Sequence, residues 1–287
     1  MTGSTARARR FAVVTDSTAD LPEGEFQRLG IHQIPLVVNW EGATYRDKVD
    51  LTTAAFYARL AHSPTLPTTS APPAGDFERL YRSLLAKYEG VLAVHLSASF
   101  SSTWSISRSA AQAVDPGRIA VLDSGTTTMC LGWAAAEAAR LADTGVELDA
   151  AVAHLEHFLP RLRLYAAVDT LEFLERGGRI GRVQALAGTL LRVKPLLQVL
   201  RGQVIPLERV RTHGAAVRRL AELAAELPRV ERLGVLHGAA PDAARELHAA
   251  LAARFPGLAI ETGEIGIVIG THAGPGVFGF TALVGEA

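Results

Sequence analysis

Phe11-Ala12-Val13-Val14-Thr15-Asp16-Ser17-Thr18-Ala19-Asp20 joins an uninterrupted apolar run to a polar turn. The same grammar returns at Val91–Leu96 before Ser97-Ala98-Ser99-Phe100-Ser101-Ser102-Thr103, and at Ile119–Leu122 before Asp123-Ser124-Gly125-Thr126. A further run covers Ile34–Asn39. Runs that are continuous rather than alternating predict strands buried on both faces, as in a parallel sheet covered by helices. Between them Phe77, Leu80, Tyr81, Leu84, Leu85 and Tyr88 repeat at helical spacing, and Ala134 to Leu141 is a strong helix former. Short strands alternating with helices predict an α/β fold with a mainly parallel first sheet.

A helical stretch from Leu148 to about Leu162 carries the chain into a second domain. There follow a run Leu164–Val168, an apolar helix near Val183–Leu191, and a hairpin over Leu196–Arg211 turning at Gly202. Val217, Leu220, Ala224 and Leu227 mark another helix, and Leu247, Leu251 and Phe255 one more. Strands at Leu233–Leu236, Leu258–Glu261, Ile265–Ile269 and Phe280–Val284 complete a mixed sheet. The expected organisation is a disordered segment 1–10, an N-terminal α/β/α domain 11–160 and a C-terminal α/β domain 161–287, with a ligand between the two domains.

At 287 residues, with 48% hydrophobic and 20% charged residues, the chain can bury a sizeable core and contains no run that would span a membrane. Lys+Arg and Asp+Glu are equal at 29 each, which removes any global electrostatic case for nucleic acid. The single cysteine, Cys130, cannot form an internal disulfide, and Met1 is followed by polar and basic residues rather than an apolar signal core; a reducing cytoplasm is expected.

Ligands of open α/β sheets sit beyond the carboxyl ends of strands, so the polar turns are where chemistry belongs. Each turn alone is explained by helix capping, because Ser, Thr and Asp are preferred N-caps. Ser97 to Thr103 holds five hydroxyls in seven residues, more than one cap requires, and together with free backbone N–H groups suits an oxyanion. Pro67-Thr68-Thr69-Ser70-Ala71-Pro72-Pro73 reads as a proline-stiffened loop between helical patterns, able to position donors or to cap a helix. Thr271-His272-Ala273-Gly274-Pro275-Gly276-Val277-Phe278-Gly279 contains G-x-G-x-x-G, but only eight residues follow, too few for a dinucleotide-binding crossover. A tight turn presenting His272 to a ligand is the simpler expectation. Arg176, Arg179 and Arg182 recur around paired glycines and are either a solvated face or a docking patch. Metal chemistry finds no support: His154 and His157 fit the solvent side of their helix, and no metal or cofactor motif occurs.

The order Thr15-Asp16-Ser17-Thr18-Ala19-Asp20-Leu21-Pro22, Thr68-Thr69-Ser70-Ala71-Pro72, Ser101-Ser102-Thr103, Asp169-Thr170-Leu171-Glu172, Arg176-Gly177-Gly178-Arg179-Ile180, Lys194-Pro195 and His272-Ala273-Gly274-Pro275-Gly276 resembles the DegV family, the fatty-acid-binding subunits of bacterial fatty acid kinase. The resemblance runs from about residue 11 to 284. It implies a long-chain fatty acid held between two domains, the tail in the C-terminal one, with no cofactor and no catalysis by this chain. By that resemblance Thr69, Ser101, the Ser102 N–H and His272 hold the carboxylate, with Ser97 and Ser17 nearby. A separate ATP-dependent kinase subunit then converts the carboxylate to an acyl phosphate for phospholipid metabolism, with at most transient contact to a membrane surface. Arg176, Arg179 and Lys194 are the expected docking residues for that kinase. Two positions depart from the family pattern: Ser102 replaces a usual glycine, and Ala273 a usual threonine.

Physical chemistry agrees with such a ligand. Burying a tail of about fifteen carbons, at ~0.8 kcal/mol per methylene, supplies on the order of 10 kcal/mol before binding costs. Uncharged donors replace the water stripped from the carboxylate yet leave an oxygen free to attack a phosphoryl group. Val183, Leu186, Leu190, Leu191, Ile267 and Phe278 are the candidate tail lining. The competing reading is a serine hydrolase acting on a lipid ester through Ser101 with His272 as base, for which the sequence offers no nucleophile elbow and no orienting acid.

Overall fold

The computed structural model describes residues 9–22, 24–186 and 193–286, with the side chains of residues 184–186 left aside. Thirteen strands follow in chain order: β1 Phe11–Asp16, β2 Ile31–Ile34, β3 Val37–Trp40, β4 Ala43–Arg46, β5 Thr68–Ser70, β6 Gly90–His95 and β7 Ile119–Asp123, then β8 Leu162–Ala167, β9 Lys194–Leu200, β10 Gln203–Val210, β11 Val230–Gly238, β12 Ile260–Glu264 and β13 Val277–Val284.

In the first half β2-β1-β6-β7 form an all-parallel sheet. Both of its faces are covered, as the continuous apolar runs require. Ala12, Val14, Val91 and Ala93 pack with Phe77, Tyr81 and Ala110 of the helices Ala74–Leu85 and Thr103–Val114. Phe11, Val13, Leu92 and Val94 look the other way, onto the helix Thr128–Thr144 and the rest of the molecule. In the second half β10-β9-β8-β13-β11-β12 form a mixed sheet in which only β11 and β12 run parallel. Its outer face carries Leu196, Phe280 and Val235 against Val217 and Leu220 of the helix His213–Ala225 and Leu247 and Leu251 of the helix Pro241–Arg254. The α/β architecture with one parallel and one mixed sheet is as expected.

Three elements differ from the sequence reading. The run Ile34–Asn39 is not one strand: Pro35 lacks an amide for the ladder, so β2 ends at Ile34 and β3 starts a separate antiparallel sheet, β4-β3-β5. The stretch around Thr69 is not a loop but β5, with Thr69 opposite Val38. Ile265–Ile269 is not a strand: Gly266 caps a helix Ile267–Ala273, which ends where Gly274 takes φ +77°. Gly270 lets that helix press on Phe56 and Tyr57. Residues 1–8 of the N-terminal segment lie outside the described residues, while Arg9 pairs with Asp143, and Arg10 with Glu89 and Glu147.

Candidate functional site

Between the two sheets lies a cavity with about 890 Å³ of empty space, its open mouth included. One wall comes from the first half: Leu36 after β2, Thr69 on β5, and Leu96, Phe100 and Ser101 after β6. The facing wall is the inner side of the mixed sheet, Leu164 and Ala166 on β8 and Val168 just after it, with Leu197 and Val199 on β9 and Val204 on β10. Alternate residues of β8 share this face because successive side chains of a strand point to opposite sides. Leu164 to Val168 spans about 13 Å at roughly 3.3 Å per residue, which sets the length of this wall.

Polar groups gather at one end. Thr69 Oγ1 stands 2.8 Å from His272 Nε2, across 203 residues of sequence. Ser101 Oγ contacts Thr103 Oγ1 at 2.8 Å and accepts the Thr103 N–H at 3.2 Å, and it faces the same cavity. Ser102 precedes the helix Thr103–Val114 with its side chain exposed and φ at −72°, so no glycine is needed there and the added hydroxyl leaves the cavity unobstructed. Its N–H has no acceptor among the described residues. Burial, and then the nearby Arg179 guanidinium, push the His272 imidazole down to about 4. It is therefore neutral at pH 7. His272 Nδ1 is buried without a partner among the described residues. A buried N–H left unpaired costs more than an unused lone pair, which favours the tautomer with the proton on Nε2. That tautomer donates to Thr69 and frees the Thr69 O–H for a ligand. Gly177 packs against His272 Nδ1, where any side chain would collide.

Thr69, Ser101 and His272 are thus brought together as expected, although His272 sits in the last turn of a helix rather than in a tight turn. Ser17 and Ser97 do not face the cavity. The Ser17 hydroxyl accepts the Leu36 N–H at 3.0 Å, and that of Ser97 accepts the Ser99 N–H at 3.2 Å. Both shape the walls from behind. Asp16 and Asp123 act similarly: Asp16 accepts the Leu96 N–H at 2.9 Å and Asp123 the Ala98 N–H at 3.1 Å, which pins the hydroxyl-rich turn between them.

The tail lining proposed from sequence needs correction. Phe278 points to the outer face of the sheet because its neighbour Val277 takes the cavity side. Val183 and Ile267 are buried in the shared core without facing the cavity, which in the helix Ile267–Ala273 is met by Val268, Ile269 and His272 instead. Leu190 and Leu191 lie outside the described residues, and of the Leu186 side chain nothing is described. The docking residues also separate. Arg179 turns inward and joins the cavity wall, donating to Phe100 O at 3.0 Å and Gly177 O at 2.7 Å. Arg176 is exposed beside Glu172, and Lys194 is paired with Asp169 at 2.5 Å. No residue pattern signals this inward role of Arg179, since its acceptors are backbone carbonyls.

The hydrolase reading finds no support in the geometry: His272 Nε2 addresses Thr69 rather than Ser101, and among the described residues Nδ1 meets no carboxylate that could orient it. Cys130 is fully buried with its thiol pushed up to about 12 by desolvation, as expected of an inert core residue. Among the described residues no cluster of His, Cys, Asp and Glu could hold a metal ion, and no helix is long and apolar enough to cross a membrane.

Comparison with known proteins points the same way. A family model for DegV family proteins matches residues 10–284. A DegV domain-containing protein of Streptomyces coelicolor is 40% identical over 276 residues, covering 95% of this chain and 98% of the relative. Among solved structures, a DegV family protein from Thermus thermophilus, described for its fatty acid binding, superposes with a TM-score of 0.88 at 37% identity, covering 96% of this chain and 99% of that one. DegV of Bacillus subtilis, described as a fatty acid binding protein, gives 0.86 at 35% identity over 96% and 100% of the two chains. With the same fold and matches along nearly its whole length, the chain belongs to the DegV family.

Proposed function

We propose that this chain binds one long-chain fatty acid, its tail along the inner face of the mixed sheet and its carboxylate at Thr69, Ser101, the Ser102 N–H and His272. The observation that carries this reading is the gathering of Thr69, Ser101 and neutral His272 on one side of a largely apolar cavity. The fatty acids bound by the Thermus and Bacillus relatives support it. Native mass spectrometry before and after organic extraction tests it: the expected result is a mass loss matching a fatty acid, or uptake of one equivalent of added octadecanoic acid. No binding of any long-chain acid would overturn the reading.

The finer part of the proposal concerns the fate of the carboxylate. The chain carries the acid and makes no bond itself; a separate cytoplasmic kinase subunit transfers the γ-phosphoryl group of ATP to a carboxylate oxygen, leaving ADP and an acyl phosphate. Exposed Arg176 serves as a docking contact for that subunit, a role no longer suited to inward-facing Arg179 or paired Lys194. With such a kinase present, Arg176→Glu is expected to lower acyl phosphate yield, trapped as the hydroxamate, several-fold at low salt while fatty acid binding persists. An unchanged yield rejects the docking role.

A further inference from the structure

The end of the cavity remote from the carboxylate donors is not purely apolar. Thr127 and Thr128 open the helix Thr128–Thr144, face the cavity, and are only 5% and 2% exposed. Neither hydroxyl has a hydrogen-bond partner among the described residues, and Thr127 does not cap its helix. Thr128 also holds φ at +55°, a left-handed conformation that is costly for a β-branched residue. At the other end the side chains of Thr69, Ser101 and His272 all have polar contacts. Two adjacent buried hydroxyls without partners are rare in native proteins and call for an acceptor or donor in the space they face.

Their place along the cavity follows from their neighbours. Cys130 Sγ lies 3.4 Å from Arg163 O, and Met129 packs on Gly234 beside Thr281, which pairs with Leu164. The start of this helix therefore sits at the Leu164 end of β8. His272 packs on Gly177 in the segment that follows the Val168 end. The ends are about 13 Å apart. An extended chain of tetrahedral atoms advances roughly 1.2 Å per bond, as an extended backbone does, so an acyl chain anchored by its carboxylate passes the two threonines near about its tenth carbon.

We propose that Thr127 and Thr128 form a second polar station that hydrogen-bonds an oxygen substituent near the middle of the acyl chain, so that the cavity selects hydroxylated or oxo fatty acids over unsubstituted ones. This rests on the reading of the cavity as a fatty acid site. An unsubstituted tail leaves both hydroxyls stranded, whereas a mid-chain hydroxyl satisfies at least one of them.

Competition binding of octadecanoic and 10-hydroxyoctadecanoic acid to the delipidated protein tests it. The hydroxy acid is expected to bind about fivefold or more tightly, a difference typical of one recovered hydrogen bond. In Thr127→Val and Thr128→Val the two affinities should move in opposite directions, with octadecanoate tightening and the hydroxy acid weakening, a crossover that a packing defect does not produce. Thr127→Ser and Thr128→Ser, which keep the hydroxyls, should retain the preference and serve if the valine variants do not fold. Equal binding of both acids by the wild type overturns the proposal and assigns the hydroxyls to buried water. Failure to bind either acid overturns the fatty acid reading along with it.

Discussion

At the scale of single residues, the site turns on a neutral imidazole. His272 is held well below the ordinary histidine range, so its proton inventory does not change across physiological pH. A histidine whose folded value is depressed loses stability as pH falls from the unfolded value near 6.5 towards 4, because the unfolded chain binds the proton first. Titration of the imidazole by NMR is expected to give an apparent value near 4 in the ligand-free protein; a value above 6 would remove the neutral donor from the scheme. Thr69→Val keeps shape and deletes one donor to a charged acceptor, a change of about 1.5–3 kcal/mol, and should weaken fatty acid binding roughly 10- to 100-fold by calorimetry. Gly177→Ala, which drives a methyl group into His272 Nδ1, should displace the ring and weaken binding comparably although its φ of −76° suits alanine. The residues Thr69, Ser101 and His272 were legible because each belongs to a motif. Arg179 and the threonine pair were not, since backbone acceptors and missing partners leave no trace in a sequence.

At the scale of elements, the informative departures are short. Ile265 to Ile269 fits a strand by composition, and a run that brief carries no decisive period; glycines at both ends and the close seat on Phe56 and Tyr57 make it a helix. Without that helix His272 could not face β5. The hairpin β9–β10 was legible from its glycine turn, but its docking was not. Gly202 takes φ +73°, donates its N–H to Gly125 O at 2.7 Å and abuts the Ser97 and Ser99 hydroxyls. Gly202→Val should cost about 1–3 kcal/mol and release the tip from the first half. Hydrogen exchange would show it as faster exchange at residue 202 and in the Ser97–Ser99 turn; unchanged protection would mean that the tip is not a tether.

For the whole molecule, the junction between the halves also contains buried charge. Asp20 and Asp47 are 3% and 1% exposed near Gly266, with Lys48 donating to Asp20 at 3.2 Å. Burial raises both carboxyls, and takes Asp47 up to about 7 against the pull of Lys48. A carboxyl whose folded value lies above its unfolded one makes the protein less stable as pH climbs from about 4 to 7, where the folded form must give up a proton it holds. Asp47→Asn should therefore raise the melting temperature at pH 8 and flatten its decline over that interval; a variant that melts lower at pH 8 would show that the charge is compensated. Local apolar patterns made each sheet legible on its own, whereas contacts joining residues 203 apart could not be inferred from spacing.

Because Leu36 and Leu96 face Leu164 and Val199 across one void, neither half can shed its grease without the other. A guest filling that void glues two lobes that otherwise touch along partly hollow surfaces. Occupancy should thus register far from the guest: at a hundredfold excess over its dissociation constant, mass action adds about 2.7 kcal/mol to the folded state. Limited proteolysis around Leu159–Arg161, where the chain crosses from one lobe to the other, should slow accordingly.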